Sequence, residues 1–193
     1  MNARSYFQKL FRILTETQVT DKEGNSTTLD EGFSDAVGMI LLGNKKVMII
    51  GNGGSAAIAS HIQNDLCKAV GVRAMVFNEP PLLTALSNDH GYNCVFEKPV
   101  ELWSEPGDLL IAISSSGKSE NILRAVQFSR KGGCQILTFS GFQPDNPLRQ
   151  QGDLNFYVPS ETYGLVEAAH LALTHFLTDL AMMTQPKVRD ARV

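Results

Sequence analysis

The sequence predicts an α/β fold, with a parallel sheet covered by helices on both faces. Three observations predict it. From Lys46 onward, short apolar runs alternate with helical patterns. The run Val47-Met48-Ile49-Ile50 reads as a strand buried on both faces and breaks off in the turn Gly51-Asn52-Gly53-Gly54-Ser55 before a helical pattern. A later strand ends in the same way, in Ile113-Ser114-Ser115-Ser116-Gly117-Lys118-Ser119-Glu120, again at the start of a helix.

The elements follow in order. Phe7, Leu10, Phe11 and Leu14 fall at i, i+3, i+4 and i+7, the stripe of an amphipathic helix. The polar stretch 20–27 holds Gly24 and Asn25 and reads as a loop. Thr28-Leu29-Asp30-Glu31 has capping-box spacing, and Phe33, Val37, Ile40 and Leu41 carry a second helix. Two helices before the first sheet strand exceed what that strand needs for cover. Their apolar faces are expected to bury against another copy of the chain; the alternative is that both pack on the sheet. Candidate strands are 47–50, 73–77, 108–114, 134–139 and 155–158. Helical patterns lie at 56–70, 82–86, 92–103 and 119–130, a polar turn at 143–152, and a last helix at 165–182. The division expected is one domain over 1–193, with a helical extension at 1–44, the α/β core at 45–184 and a frayed tail at 185–193.

Composition excludes several classes. A length of 193 residues suits one domain with a sizeable core. A net charge of −3 argues against nucleic-acid binding by phosphate neutralisation. No apolar run approaches the roughly 20 residues of a membrane span, and the N-terminus lacks a signal-peptide core, so no membrane partner is expected. Cys67, Cys94 and Cys134 are odd in number and widely spaced, which fits reduced thiols in a cytoplasmic protein.

Chemistry is expected where the strands end, at the carboxyl edge of an open parallel sheet. Glycines at the first turn allow positive φ and leave no Cβ between main chain and ligand. The helix behind them directs free N–H groups and a positive dipole end to the same place. The spacing is neither that of a P-loop nor of a dinucleotide fingerprint. The serine turn adds four hydroxyls at a helix start, a compact oxyanion cradle, or simply an N-cap. Two such turns at the same ends of parallel strands point to phosphate held without a P-loop lysine, as suits a sugar phosphate.

These two turns, with Ser87-Asn88-Asp89 between them, resemble the sugar isomerase (SIS) domain family, and within it the phosphoheptose isomerase branch. The resemblance covers nearly the whole chain. It implies a three-layer αβα sandwich of flavodoxin-like type with a five-stranded parallel sheet behind two N-terminal helices. It also implies a homotetramer with sites at subunit interfaces, and a zinc ion. The implied reaction converts sedoheptulose 7-phosphate to D-glycero-D-manno-heptose 7-phosphate through an enediol, for the heptose of bacterial lipopolysaccharide or capsule. A non-catalytic SIS protein that binds the replication initiator DnaA, and a sugar-phosphate sensor, are the rival readings.

Carried over by position, Ser55, Ser114, Ser115, Ser116 and Ser119 match phosphate and sugar contacts. Asn52, Gly53 and Gly54 match the loop lying against substrate, and Asn88 and Asp89 a pair that touches the sugar. His61 matches a metal ligand, and His175 a ligand that also moves protons. Where the family commonly has glutamate, this chain has Asp65; where it commonly has glutamine, this chain has Glu167. Both are oxygen donors suited to a divalent metal, so the implied ligands are His61, Asp65, Glu167 and His175. The proton-transfer base is Asp65, or Glu167 if reach decides. The residues by themselves leave more open. His61 and Asp65 share a helix face at i, i+4, as a metal-binding pair or a surface salt bridge. Glu167 and His175 stand about 12 Å apart along a helix, whereas His170 is a closer i, i+3 partner of Glu167 and a rival for the role, unless it is a buried core histidine.

Overall fold

The computed structural model describes residues 2–185, so most of the expected tail at 185–193 lies outside the described residues. The chain runs α1 (Ala3–Thr15), β1 (Gln18–Asp21), β2 (Ser26–Thr27), α2 (Leu29–Ile40), β3 (Val47–Gly51), α3 (Gly54–Asp65), β4 (Ala74–Val76), α4 (Pro80–His90), α5 (Glu97–Trp103), β5 (Leu109–Ser114), α6 (Glu120–Lys131), β6 (Gln135–Ser140), β7 (Leu154–Tyr157) and α7 (Tyr163–Thr184). The sheet order is β2-β1-β7-β6-β5-β3-β4. Strands β3 to β7 are mutually parallel. Their order, β4-β3-β5-β6-β7, reverses direction of winding between β3 and β5, the switch point at which such sheets bind ligands.

Alternate residues of the strands feed two cores. Val47, Ile49, Ile111, Ile113, Leu137 and Phe139 face α2, α3 and α7. Met48, Ile50, Leu110, Ala112 and Ile136 face Val100 of α5 and Ile122, Ala125 and Val126 of α6. The sheet is therefore the middle of three layers, and its apolar runs are continuous because both faces are buried. Burying each such side chain contributes about 1.5–3 kcal/mol relative to exposure.

The expectation of a purely parallel five-stranded sheet needs correction, because the sheet is mixed and has seven strands. The stretch read as a loop is a β1–β2 hairpin, and β1 adds antiparallel to β7 in the register Val19↔Phe156. Only Val19 and Thr20 of β1 are buried, too few to show a period. The hairpin depends on distant groups: the Asn155 side-chain amide donates to the Thr20 carbonyl at 3.3 Å. Two helical stretches also divide. The 56–70 pattern begins at Gly54 and ends in a π turn, Leu66–Val70, closed by Gly71 at φ 78°. The 92–103 pattern splits into a 3₁₀ turn, Tyr92–Cys94, and α5.

The leading helices divide the expectation made for them. The capping box of α2 forms, with Thr28 accepting from the Glu31 amide, and Phe33, Val37 and Ile40 bury within this chain. In α1, Ile13 is buried, but Phe7 and Phe11 stand 63% and 69% exposed. Among the described residues no helix is long and apolar enough to cross a membrane.

His170 of α7 is a core residue. It is fully buried, its Nε2 lies 3.1 Å from the Ser140 carbonyl, and its Nδ1 has no hydrogen-bond partner. A carbonyl only accepts, so Nε2 carries the proton and the ring is neutral. Burial pushes its pKa down to about 4, against a partial upward pull from Ser140. The unfolded chain then binds the extra proton first as pH falls, so this group's stabilisation is complete above about pH 6.5 and is lost towards pH 4. The loss expected from His170 is about 3 kcal/mol. Urea midpoints measured at pH 7 and 4.5 should fall less steeply in His170→Gln than in the wild-type chain.

Candidate active site

Adjacent strands β3 and β5 pair in register, with Gly51 opposite Ile113, so their following turns stand side by side. At the first, Gly53 takes φ 54° and α3 begins with no side-chain cap. A Cβ on Gly51 would come within 2.6 Å of the Ser55 carbonyl, so only glycine lets the helix turn back so tightly. Ser55 is buried beneath the loop. The amides of Gly54 and Ser55 lie in the helical turn that has no internal acceptors.

At the second turn, Ser119 occupies the N-cap position of α6, yet its side chain makes no capping bond. Its Oγ lies 3.4 Å from that of Ser114. The Ser114 hydroxyl accepts from the Gly117 amide at 3.2 Å, and the Ser116 hydroxyl from the Lys118 amide at 3.3 Å. The buried Ser115 Oγ has no partner. The simpler expectation for this turn, an N-cap and nothing more, therefore fails at Ser119. Gly117 sits at φ 63°, and any Cβ there would strike the amide of Asn146, a buried residue that backs the loop from beyond β6.

Glu167 reaches the glycine loop from α7. A Cβ on Gly54 would come within 2.5 Å of the Glu167 carboxyl, so the absence of a side chain at Gly54 leaves room for that group at the helix start. About two to three turns along α3, His61, Asp65 and the α7 residue His175 meet. The Asp65 Oδ2 lies 3.3 Å from His61 Nε2 and 3.7 Å from His175 Nδ1. The two imidazoles pack edge to face at 4.6 Å. One donor atom from each of the three lies within 4.8 Å of the others. Donors sharing one tetrahedral zinc sit about 3.3 Å apart, given zinc–ligand lengths near 2.0–2.1 Å. Two imidazoles and a carboxylate at these separations fit a divalent metal with an open position. Glu167, the fourth ligand implied by resemblance, is not part of this trio.

Asn88 and Asp89 are exposed near the end of α4, the Asn88 amide donating to the Asp89 carboxylate at 2.9 Å. Beyond them Gly91, at φ 83°, turns the chain to Tyr92, whose hydroxyl donates to Asn52 Oδ1 at 2.9 Å. Asn52 also exchanges two hydrogen bonds with Asn121 at the start of α6. Tyr92, Asn121 and Asn146 were not singled out from the sequence. The sequence signal there is an amide or phenol two or three residues beyond a turn of interest, or, for Asn146, inside a polar turn, and that is too common to mark a site.

Comparison with known proteins points to one family. Residues 5–141 match the family described as SIS domain. A phosphoheptose isomerase of Geobacter sulfurreducens is 30% identical over 154 residues, covering 77% of this chain and 81% of the relative. The structure of phosphoheptose isomerase GmhA from Neisseria gonorrhoeae superposes with a TM-score of 0.77 at 26% identity, over 92% of this chain and 95% of that one. The phosphoheptose isomerase of Francisella tularensis gives 0.80 at 25% identity, over 95% of this chain and all of the other.

The trio predicts divalent-metal binding that needs all three side chains. Calorimetric titration with zinc should show one tight site per chain, weakened about 100-fold or more by Asp65→Asn or His175→Ala. Glu167→Gln should weaken it far less.

Proposed function

The chain belongs to the SIS domain family, and we propose that it is an aldose–ketose isomerase converting sedoheptulose 7-phosphate to D-glycero-D-manno-heptose 7-phosphate. The pathway served is the supply of heptose to bacterial surface polysaccharide. One observation carries the reading. Two helix starts without side-chain caps stand on neighbouring strands, and the first of those helices carries two of the three members of an imidazole–carboxylate cluster.

In this reading Ser55, Ser114, Ser115, Ser116 and Ser119 hold the phosphoryl group with the first-turn amides. The main chain of Asn52, Gly53 and Gly54 lies along the sugar, and Asn88 and Asp89 meet its hydroxyls. These contacts supply position more than chemistry. A carboxylate takes a proton from C1 of the ketose while His175 gives one to the C2 oxygen, leaving a cis-enediol. The carboxylic acid then returns its proton to C2, and His175 takes the proton of the C1 hydroxyl, leaving the aldehyde. An imidazole suits that shuttle because its ordinary pKa is near neutral. We assign the carbon-to-carbon transfer to Glu167, with Asp65 the second candidate. Asp65 is already flanked by two imidazoles, whereas Glu167 lies against the glycine loop at Gly54. A zinc ion bound by His61, Asp65 and His175 would polarise the carbonyl and enediol oxygens as a Lewis acid.

The chain is further proposed to work as a homotetramer. The exposed Phe7 and Phe11 on α1 support this. So does an apolar groove of about 520 Å³ between α2 and α7, lined by Phe33, Val37, Leu41, Phe176 and Leu180.

Sedoheptulose 7-phosphate should be isomerised, and in D₂O the product should carry deuterium at C2. Glu167→Gln and His175→Gln should each lower kcat by about 10²–10⁴-fold with KM little changed. If Asp65→Asn abolishes turnover while Glu167→Gln does not, the base is Asp65. No turnover in a chain that still binds phosphate would favour the initiator-binding or sensor readings. Light scattering should give four times the mass of one chain, and Phe7→Ser/Phe11→Ser should lower it.

A further inference from the structure

We propose that Asn121 is a positioning residue that clamps the glycine loop to the serine loop and so sets the spacing of the two anion cradles. The proposal rests on the sugar-phosphate reading of the site. Asn121 is 3% exposed and lies in the first turn of α6, two residues beyond Ser119. Its Nδ2 donates to Asn52 Oδ1 and its Oδ1 accepts from Asn52 Nδ2, each at 2.9 Å. The same Oδ1 accepts from the Ile122 amide at 3.0 Å, which fixes the side chain against its own helix.

A single hydrogen bond sets a distance. A reciprocal amide pair also sets orientation, because both groups must stay close to one plane to keep both bonds. This pair joins residues 69 positions apart in the chain, one in the turn after β3 and the other at the start of the helix that follows the turn after β5.

The clamp also reassigns Asn52. Its Oδ1 takes one bond from Asn121 and one from Tyr92, and one of its two amide hydrogens goes to Asn121. An amide oxygen has two lone pairs, so this one is fully used. One N–H remains. The side chain of Asn52 therefore serves mainly as the handle by which the loop is held. What the loop offers a phosphoryl group is its main chain. The core beneath α6 is made by Ile122, Ala125 and Val126, and the buried Asn121 beside them spends its amide on Asn52 and the Ile122 N–H.

Three variants test the clamp. Asn121→Asp keeps the shape but sets a carboxylate oxygen against Asn52 Oδ1 and adds charge beside an anion site. Asn121→Ser removes the pair without adding charge. Tyr92→Phe removes only the outer bond, from a residue 55% exposed, so its folding is little at risk. Calorimetry with inorganic phosphate, KM and kcat for the heptulose phosphate, and melting temperature are read together. Phosphate affinity should fall and KM should rise by about 100-fold in Asn121→Asp, about tenfold in Asn121→Ser and about threefold in Tyr92→Phe, with kcat within about threefold of wild type. Asn52→Ala combined with Asn121→Ser should be no worse than the poorer single variant, as for two halves of one contact.

Unchanged phosphate affinity and KM in folded Asn121→Ser and Tyr92→Phe, with only a lower melting temperature, would overturn the clamp and leave the isomerase reading intact. A wild-type chain that binds phosphate but leaves the heptulose unchanged would end the catalytic reading, while lost phosphate affinity in Asn121→Ser would still uphold the clamp. A wild-type chain that binds no phosphate would overturn both.

Discussion

The parallel pairing of β3 with β5 is the constraint from which the rest of the site follows. Five consecutive rungs, from Val47↔Leu109 to Gly51↔Ile113, hold the two strands in one register. A slip by one residue would turn every side chain to the opposite face and separate the turns that follow, so two buried faces enforce the register more strongly than backbone hydrogen bonds alone. At the opposite end of the strands, Lys46 anchors the pair. Its ammonium meets the buried Asp108 carboxylate at 2.6 Å, and its amide donates to the same carboxylate at 3.1 Å. Burial would raise the Asp108 pKa, but the bonds from Lys46 and from main-chain amides hold it below its ordinary value. The strand pair is thus fixed at both ends, by an ion pair below and by an amide pair above.

The parallel core was legible because it rests on local signals. Each of the five strands is a short apolar run, and each occurs within about two residues of where the sequence places it. The glycine and serine turns were legible for the same reason, since their composition declares their geometry. The β1–β2 hairpin was not. Its stability comes from the edge of β7 and from the Asn155 side chain, more than 130 residues away, and no window of sequence contains that partner.

The site was legible in its residue types and less so in their grouping. His170 and His175 share α7 and lie five positions apart, about 140° around the helix. One therefore faces the core and the other faces α3, a distinction spacing permits but cannot direct without knowing which side the sheet is on. Glu167 and His175 stand eight positions apart on α7, and the carboxyl that joins His175 comes instead from Asp65 on a different helix. Convergence of α3 and α7 does what a single helix could not.

The hairpin that extends the sheet has a consequence for what the sheet edges offer another molecule. The two outermost strands are β2, with two residues, and β4, with three. Margins so short offer little unpaired backbone to a neighbouring molecule, which guards against ribbon-like stacking through continued strand addition. In the tetramer proposed above, contact between copies would fall to side chains on the helical layers, where assembly closes into a defined number of subunits.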